Sequence, residues 1–409
     1  MSKISRIITH PCNQWLKRNL KGDPVIWAII LILAVLSILV VYSAASSLAY
    51  RKMQGNTEYY LTKHSLLMLG SLGAMWVAHK IDYRYYAGLS KLALWISVPL
   101  LLLTWRYGLT LNEASRWLTI PVLNKAFQPS DLAQLALIAN LANMLARRQH
   151  TIDNVQATLV PMLVWCGVIC GLTALSNLSA ALLLFCTCIL LMYIGRMPMK
   201  YLFILTVFGL IVGFIAMYVG QRGETGLSRL KIFVQDELPF QTKQSHIAIA
   251  TGGLYGKGPG NSQQRNFLPH PYSDFIYAIL VEEYGLLGGV VVILLYLILL
   301  YRGIRNVAQS NRAYGGLLSA GLSFALVFQA LVNMSVAVGL GPVTGLPLPF
   351  VSMGGTSLLF TGIAVGIILS VSRGDVDESI NGLHAEGGAS NNRYKRSKAV
   401  HKPTDLRNS

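Results

Sequence analysis

Long apolar runs separated by short polar segments make up most of the chain. Windows of the length that crosses the hydrocarbon core of a bilayer, about 20 residues, recur along it. They lie near 25–48, 61–79, 89–107, 129–146, 156–174, 177–195, 200–219, 274–301, 315–338 and 351–372. Backbone amides cannot stay unpaired in lipid, so each window predicts a helix. The pattern predicts an all-α polytopic membrane protein with about ten transmembrane helices.

Composition excludes a soluble globule. Of the 409 residues, 53% are hydrophobic and 12% charged, whereas soluble domains are about 25% charged. A net charge of +17 on a compact domain would suggest a nucleic-acid partner, but here the cations lie between apolar windows. With the N-terminus inside, 22 of the 34 Lys and Arg residues fall in inner segments, as the positive-inside rule requires. Both termini are therefore predicted to be cytoplasmic, and no nucleic-acid partner is expected.

The sequence divides into three parts. Residues 1–24 form a basic cytoplasmic segment, 25–373 the membrane domain, and 374–409 a polar tail that is predicted to be disordered. The polar stretch 220–273, between the seventh and eighth predicted helices, is too long for a connector and predicts one large extracytoplasmic loop. The cysteines show no zinc-ligand spacing, and most of them lie in apolar windows as small hydrophobic residues.

Polar residues collect in four clusters, which the predicted topology places on the outer side. Charged side chains are costly in a bilayer, so such clusters are candidate sites. The clusters are 113–118 with 128–131, 244–245 with 252–265, 267–285, and 333 with 341–357. Each also has a structural interpretation. Arg116 and Trp117 are typical of an interfacial anchor, residues 128–131 of a helix start, and the glycine-rich loop of turns whose free amides would also suit a diphosphate.

The segment around Asp274 has the strongest functional signal. Pro269 and a second proline just after it exclude helix, Ser273 is a good helix cap, and Asp274 is predicted in the first turn of the eighth helix. The outer loop is expected to cover the apolar residues 275–280 that follow. A carboxylate at a helix start beneath a basic glycine-rich loop suits an anionic lipid, whose diphosphate must be held while a sugar hydroxyl reacts.

Two adjacent carboxylates follow on the same predicted helix. On an ideal helix Glu282 and Glu283 lie about 80° and 180° around from Asp274, so neither shares its face. Glu283 is predicted to point into the protein, to pair with a cation or a backbone amide, and to support the structure. Leucine at 283 is accordingly expected to lower folded yield more than leucine at 282.

The co-ordered motifs resemble the SEDS family (shape, elongation, division and sporulation), from about residue 25 to 373. The motifs are Ala-Ser-Arg-Trp at 114–117, Gln-Pro-Ser-Asp at 128–131, Gly-Lys-Gly-Pro-Gly-Asn-Ser at 256–262, Ser-Asp-Phe-Ile at 273–276, Gly-Leu-Pro-Leu-Pro at 345–349 and Ser-Met-Gly-Gly-Thr at 352–356. The cell-division branch, FtsW, is the nearest, and the elongation branch, RodA, is the alternative. Two positions depart from the family: segment 176–179 lacks an acidic residue that many relatives carry, and Thr344 stands where many have Lys.

The resemblance implies a ten-helix glycosyltransferase of the inner membrane that polymerises lipid II into peptidoglycan at the division septum. Undecaprenyl diphosphate would leave C1 of the growing strand while the 4-hydroxyl of the incoming lipid II attacks with inversion. Asp274 matches the family's catalytic aspartate. It could act as a general base or as a ligand of a divalent cation, Mg²⁺ or Mn²⁺, and the sequence leaves both open.

The implied partners are lipid II, the nascent glycan strand, a class B penicillin-binding protein transpeptidase and other divisome membrane proteins. The candidate diphosphate ligands are Arg116, Lys257 and Arg265. The other substrate-binding candidates are Gln244, Ser245, Asn261, Ser262, Gln263, Ser352, Gly354 and Gly355. The candidates for structural support are Trp117, Gln128, Ser130, Pro269, Ser273 and Glu283.

Two other classes of function stay open at this stage. A lipid II flippase would need a polar path between the two membrane faces, whereas the special residues cluster on one side. A non-catalytic divisome scaffold would not need a carboxylate at a helix start beneath a basic loop.

Overall fold

The structure is a computed structural model that describes residues 21–52, 57–111, 114–120, 125–148, 159–219, 239–310 and 312–374. Most of the predicted N-terminal segment, residues 220–238 of the predicted outer loop, and the predicted tail from 375 onward lie outside these ranges.

Helices dominate the described chain. They are α1 (Pro24–Lys52), α2 (Thr57–Lys80), α3 (Tyr83–Tyr107), α4 (Pro129–Arg147), α5 (Val160–Ser176), α6 (Leu178–Ile194), α7 (Met199–Val219), α8 (Phe240–Gly252), α9 (Ile276–Gln309), α10 (Ala313–Ala337) and α11 (Thr356–Gly374). Each predicted window coincides with one of them, and the short α8 is additional. Helices α1, α3, α9, α10 and α11 are long and apolar enough to cross a membrane. The multi-pass class is therefore confirmed, whereas the number of ten crossings and the sidedness stay predictions.

A small antiparallel sheet between α3 and α4 was not predicted. Its strands, in spatial order, are β1 (Leu109–Leu111), β2 (Ala114–Ile120) and β3 (Lys125–Phe127). The sheet is a local addition to the predicted helical fold, in a segment whose aromatic and β-branched residues suit a pleated surface. The Phe127 ring lies 5.7 Å from the ring of Phe360 on α11, so the sheet is anchored to the helical bundle.

Helices α9 and α10 pack closely against each other. A Cβ added to Gly303 on α9 would lie 1.8 Å from Ser323 Oγ on α10, so glycine is needed there for the backbones to approach. The Asn306 amide donates a 2.9 Å hydrogen bond to Ser319 Oγ across the same interface. This contact fixes α10, which carries Asn333, against α9.

Helix α8 covers the first part of α9. A Cβ on Gly252 would lie 2.3 Å from the Val281 carbonyl oxygen, so the two backbones are in direct contact. The side chains of residues 275–281 are buried. Helix α8 belongs to the predicted outer loop and packs on this apolar part of α9, as expected, whereas the placement of the loop on the outer side stays a prediction.

Candidate active site

The backbone of Asp274 is held by a side chain from α10. Asn333 is 2% exposed, and its amide nitrogen donates to the carbonyl oxygen of Asp274 at 2.9 Å and to that of Leu346 at 2.7 Å. One buried amide therefore joins the Asp274 turn to the proline-containing segment before α11.

That segment holds the same turn at a second point. Ser352 Oγ donates to the carbonyl oxygen of Ser273 at 2.7 Å, and the Met353 amide donates to that of Tyr272 at 2.9 Å. Ser352 Oγ also accepts from the Leu348 amide at 2.8 Å, which fixes its direction. Three successive carbonyls, from 272 to 274, thus have partners outside their own segment.

These bonds explain why α9 begins later than predicted. The carbonyls of Ser273 and Asp274 are occupied by side chains, so the Ala278 amide bonds instead to the carbonyl of Phe275 at 3.1 Å. Phe275 is the N-terminal flanking residue and the helix starts at Ile276. The prediction of Asp274 in the first helical turn is therefore wrong: it lies in the turn just before. Ser273 does not cap the helix, because its hydroxyl bonds to Asp274 Oδ1 at 2.9 Å.

The Asp274 carboxylate lies half-buried beside aromatic groups. Burial raises the pKa of the neighbouring Tyr272 phenol, and the charges of Tyr60 and Asp274 raise this pKa further. Tyr272 therefore stays neutral near pH 7 and can donate a hydrogen bond. The site therefore has the carboxylate of Asp274 on a fixed turn and the neutral phenol of Tyr272 close to it.

The side chain of Glu282 is fully buried and organises the glycine-rich loop. Its Oε1 accepts from Lys257 Nζ at 2.7 Å and from the Gln263 amide at 3.1 Å. Its Oε2 accepts from Ser262 Oγ and from the Gln264 amide at 3.2 Å. The loop amides at 263 and 264 thus bind this carboxylate, and the expectation that they are free for a diphosphate is wrong.

Glu283 is 1% exposed and accepts a hydrogen bond from Ser43 Oγ on α1. The prediction that it points into the protein is confirmed. The Arg265 guanidinium donates to the same Ser43 Oγ at 2.9 Å and to the Gly260 carbonyl at 2.9 Å. A hydroxyl from the first helix therefore joins the cation of the loop to the carboxylate of α9.

The remaining candidates of the outer loop divide between surface and interior. Asn261 is exposed, and its amide donates to the Lys257 carbonyl at 3.0 Å. Gln263 is also exposed. Ser245 is buried and its hydroxyl donates to the Ala337 carbonyl at 2.6 Å, while Gln244 beside it is half-buried. Ser245 thus has a structural contact, whereas Asn261 and Gln263 are placed where a substrate could reach them.

The segment 128–131 starts α4, as predicted. Pro129 occupies the first turn, and Gln128 Nε2 donates to Ser130 Oγ at 2.9 Å and to Asp131 Oδ1 at 3.0 Å. The start of the helix is therefore held by these two side-chain bonds of Gln128. Sequence reasoning missed the small cavity of about 40 Å³ that Asp131 lines together with Gln134, Gln329 and Ser357.

Trp117 and the two glycines before α11 come together. The indole of Trp117, on β2, lies 3.9 Å from where a Cβ on Gly355 would stand, and Gly355 has φ +60°. Gly354 precedes it, and its carbonyl accepts from the Ser357 amide at 3.2 Å.

Pro269 lies exposed in the turn region before α9. Arg116 is on β2, and its side chain lies outside the described part of the chain.

Sequence reasoning missed three buried side chains that hold this region together. Glu282 was not expected to be buried, Ser43 was part of an apolar window, and Asn333 was noted without a partner. A polar side chain inside an apolar window is the only signal that could have indicated them.

Among the described residues, no three His, Cys, Asp or Glu side chains are arranged to hold a metal ion by themselves. Asp274 supplies one carboxylate. Mg²⁺ commonly binds through one or two carboxylates together with substrate phosphates, so the residues present fit a cation that the substrate helps to hold.

The fold and the site together define a polytopic membrane protein in which two distant segments hold the turn that carries a carboxylate. Residues 23–376 match the family model of FtsW, RodA and SpoVE, described as a cell cycle protein, and the chain belongs to that family. The curated relatives that are named FtsW support the cell-division branch predicted from the motifs.

Two curated relatives cover most of the chain. Stage V sporulation protein E of Bacillus subtilis is 33% identical over 362 residues, which are 86% of this chain and 97% of the relative. The probable peptidoglycan glycosyltransferase FtsW of Geobacter sulfurreducens is 33% identical over 354 residues, 86% of this chain and 95% of the relative.

Solved structures share the fold. One of them describes the structural coordination of polymerization and crosslinking by a peptidoglycan synthase complex. Its TM-score is 0.67 at 25% identity, and the match covers 86% of this chain and 98% of the chain in that structure. The rod shape determining protein RodA of Thermus thermophilus has a TM-score of 0.64 at 25% identity, and the match covers 88% of this chain and 98% of RodA.

Proposed function

We propose that this protein is a peptidoglycan glycosyltransferase that polymerises lipid II into glycan strands, with inversion at C1 and release of undecaprenyl diphosphate. The names of its relatives and the family membership support this activity. The observation that carries the proposal is the Asp274 turn, where three backbone carbonyls are bonded from two other segments. A carboxylate held so firmly beside a partly open surface is suited to transfer a proton at a fixed position.

The proposed role of Asp274 is to accept the proton of the attacking 4-hydroxyl. Ser273 Oγ donates to Asp274 Oδ1 at 2.9 Å and orients the carboxylate, and the other carboxylate oxygen is the one proposed to accept the proton. A divalent cation bound by Asp274 and the diphosphate is the alternative. Such an ion would supply charge stabilisation for the leaving group. Chelator treatment followed by Mg²⁺ or Mn²⁺ distinguishes the two, because only the second requires activity to vanish and return.

The proposed partner is a class B penicillin-binding protein transpeptidase. A structural neighbour is titled as a synthase complex that coordinates polymerization and crosslinking. We further propose that the protein acts in the inner membrane at the division septum with other divisome proteins. Several curated relatives are named FtsW, which supports division over elongation.

Radiolabelled lipid II incubated with the purified protein, alone and with the transpeptidase partner, tests the activity. Labelled polymer supports the proposal. Movement of intact lipid II across vesicles without polymer would favour a flippase, and neither product would favour a scaffold.

A further inference from the structure

Helix α9 is interrupted at Gly285, which has φ 72° and ψ −177°. This conformation is essentially restricted to glycine. In a continuous α-helix the amides of Leu286 and Leu287 would bond to the carbonyls of Glu282 and Glu283. The break therefore leaves two carbonyls and two amides that need other partners.

The glycine-rich loop supplies all four partners. The amides of Lys257 and Gly258 donate to the carbonyls of Glu282 and Glu283, each at 3.0 Å. In return the Leu286 amide donates to the Gly253 carbonyl at 2.9 Å, and the next amide donates to the Leu254 carbonyl at 3.3 Å. The loop is thus inserted into the hydrogen-bond ladder of the helix.

Glycine is required on both sides of this insertion. A Cβ on Gly285 would lie 2.2 Å from the Leu254 carbonyl oxygen, and a Cβ on Gly256 would lie 2.2 Å from that of Glu283. Both glycines have positive φ, 72° and 82°. The contact is therefore built from backbone against backbone, with no space for a side chain.

The Glu282 carboxylate fixes the loop to this break. Its side chain is 0% exposed and that of Lys257 is 26% exposed, with 2.7 Å between the charged atoms. A buried carboxylate needs a counter-ion and hydrogen bonds. The ammonium of Lys257, together with Ser262 Oγ and the amides of Gln263 and Gln264, meets that need. Lys257 Nζ also donates to Thr251 Oγ1 at 2.9 Å, which further fixes its position.

The broken helix connects this loop to the candidate active site. Its first half runs from Ile276 to Tyr284, is buried, and begins directly after the Asp274 turn. About 12 Å separate positions 274 and 282 along such a helix. A short buried helix held at both ends transmits a displacement at one end to the other.

We propose that Glu282 is a positioning residue for Asp274 and that Lys257 is its counter-ion rather than a ligand of the substrate diphosphate. This inference rests on the proposed glycosyltransferase function. The loop inserted at Gly285 holds the end of the first half of α9, and Asn333 and Ser352 hold its beginning. Removing either member of the Glu282–Lys257 pair leaves the other uncompensated and loosens the half-helix that carries Asp274.

The test compares Glu282→Gln, Lys257→Met and the double variant with the wild type and with Lys243→Met. Lys243 is exposed on α8 and provides a control for the loss of one cation. Initial rates with lipid II give kcat and KM, and thermal unfolding in detergent gives the folded fraction. Each single variant is expected to lower kcat by at least about tenfold with KM changed by less than about threefold. The double variant is expected to recover most of the kcat, because it contains no unpaired charge.

A diphosphate ligand would behave differently. If Lys257→Met mainly raises KM, and the double variant is no better than this single variant, Lys257 binds substrate and the inference is overturned. Wild-type kcat in both single variants, at equal folded fraction, would also overturn it. Should Glu282→Gln not fold, Ser262→Ala removes a single bond to the same carboxylate and is expected to lower kcat while the fold persists.

Different results would refute the proposed glycosyltransferase function and the proposed role of the Glu282–Lys257 pair. Absence of polymer from both wild type and Lys243→Met would refute the proposed function. The unfolding midpoints of the same variants would still test the pair, because recovery in the double variant requires that Glu282 and Lys257 interact in the folded protein.

Discussion

Asn333 on α10 donates a 2.9 Å hydrogen bond to the backbone carbonyl of Asp274, 59 positions earlier in the chain. The same amide nitrogen donates to the Leu346 carbonyl at 2.7 Å. A single buried side chain thus determines where the candidate catalytic carboxylate lies relative to the segment before α11.

Asn333→Ala should loosen the Asp274 turn. Each buried carbonyl that loses its donor costs about 1–3 kcal/mol, so the unfolding midpoint should fall and kcat should fall with it. Ser335→Ala, two residues along the same helix and half-buried, is the control. Equal midpoints and rates in the two variants would show that the turn does not depend on Asn333.

Asp274→Asn should abolish polymerisation while the fold persists. The bonds that hold the turn go to backbone carbonyls, so an isosteric amide leaves them in place but cannot accept a proton. A loss of about 10²–10⁴-fold is expected for a general base. Glu58→Gln, at an exposed carboxylate in the first turn of α2, should retain activity. Wild-type rates in Asp274→Asn at equal abundance would remove the residue from the mechanism.

Gly285→Ala should disrupt the break in α9. The added Cβ would meet the Leu254 carbonyl at 2.2 Å, and the backbone conformation is unfavourable for alanine by about 1–3 kcal/mol before any clash. We expect a lower unfolding midpoint and faster proteolysis of the loop. Gly73→Ala on α2, where a Cβ would meet nothing within 4 Å, should unfold like the wild type. The prediction fails if both alanine variants have the same midpoint.

Leucine at position 282 should lower folded yield more than leucine at 283, which is the reverse of the order expected from the sequence. Glu282 accepts four hydrogen bonds from the loop, whereas Glu283 accepts one from Ser43. Glu282→Leu leaves more donors unpaired and should lower folded yield more than Glu283→Leu. Quantitative size-exclusion chromatography of both variants checks the order, and a larger loss for Glu283→Leu would restore the expectation from the sequence.

Arg116→Lys separates the two interpretations of that residue. A diphosphate clamp needs the bidentate guanidinium, so lysine should raise KM for lipid II markedly. An interfacial anchor tolerates lysine because both side chains snorkel. Full activity in Arg116→Lys would assign Arg116 to anchoring.

The sequence by itself determined the class of this protein and the approximate positions of all its described α-helices except α8. Apolar windows such as 274–301 must pair their backbone groups within the segment, so local composition is sufficient to predict helix. The motifs around Asp274 also sufficed to indicate the candidate site, because its residue types are unusual next to apolar runs.

Only the tertiary structure decided how those residues interact. Helix α9 begins at Ile276 and breaks at Gly285 because distant groups, Asn333, Ser352 and the loop at 253–258, occupy the backbone groups that an ideal helix would pair internally. Glu282 is buried for the same reason: the break admits a loop whose ammonium, hydroxyl and amides surround its carboxylate. Helical periodicity assumes an uninterrupted ladder of hydrogen bonds, and partners remote in the chain replace part of that ladder here.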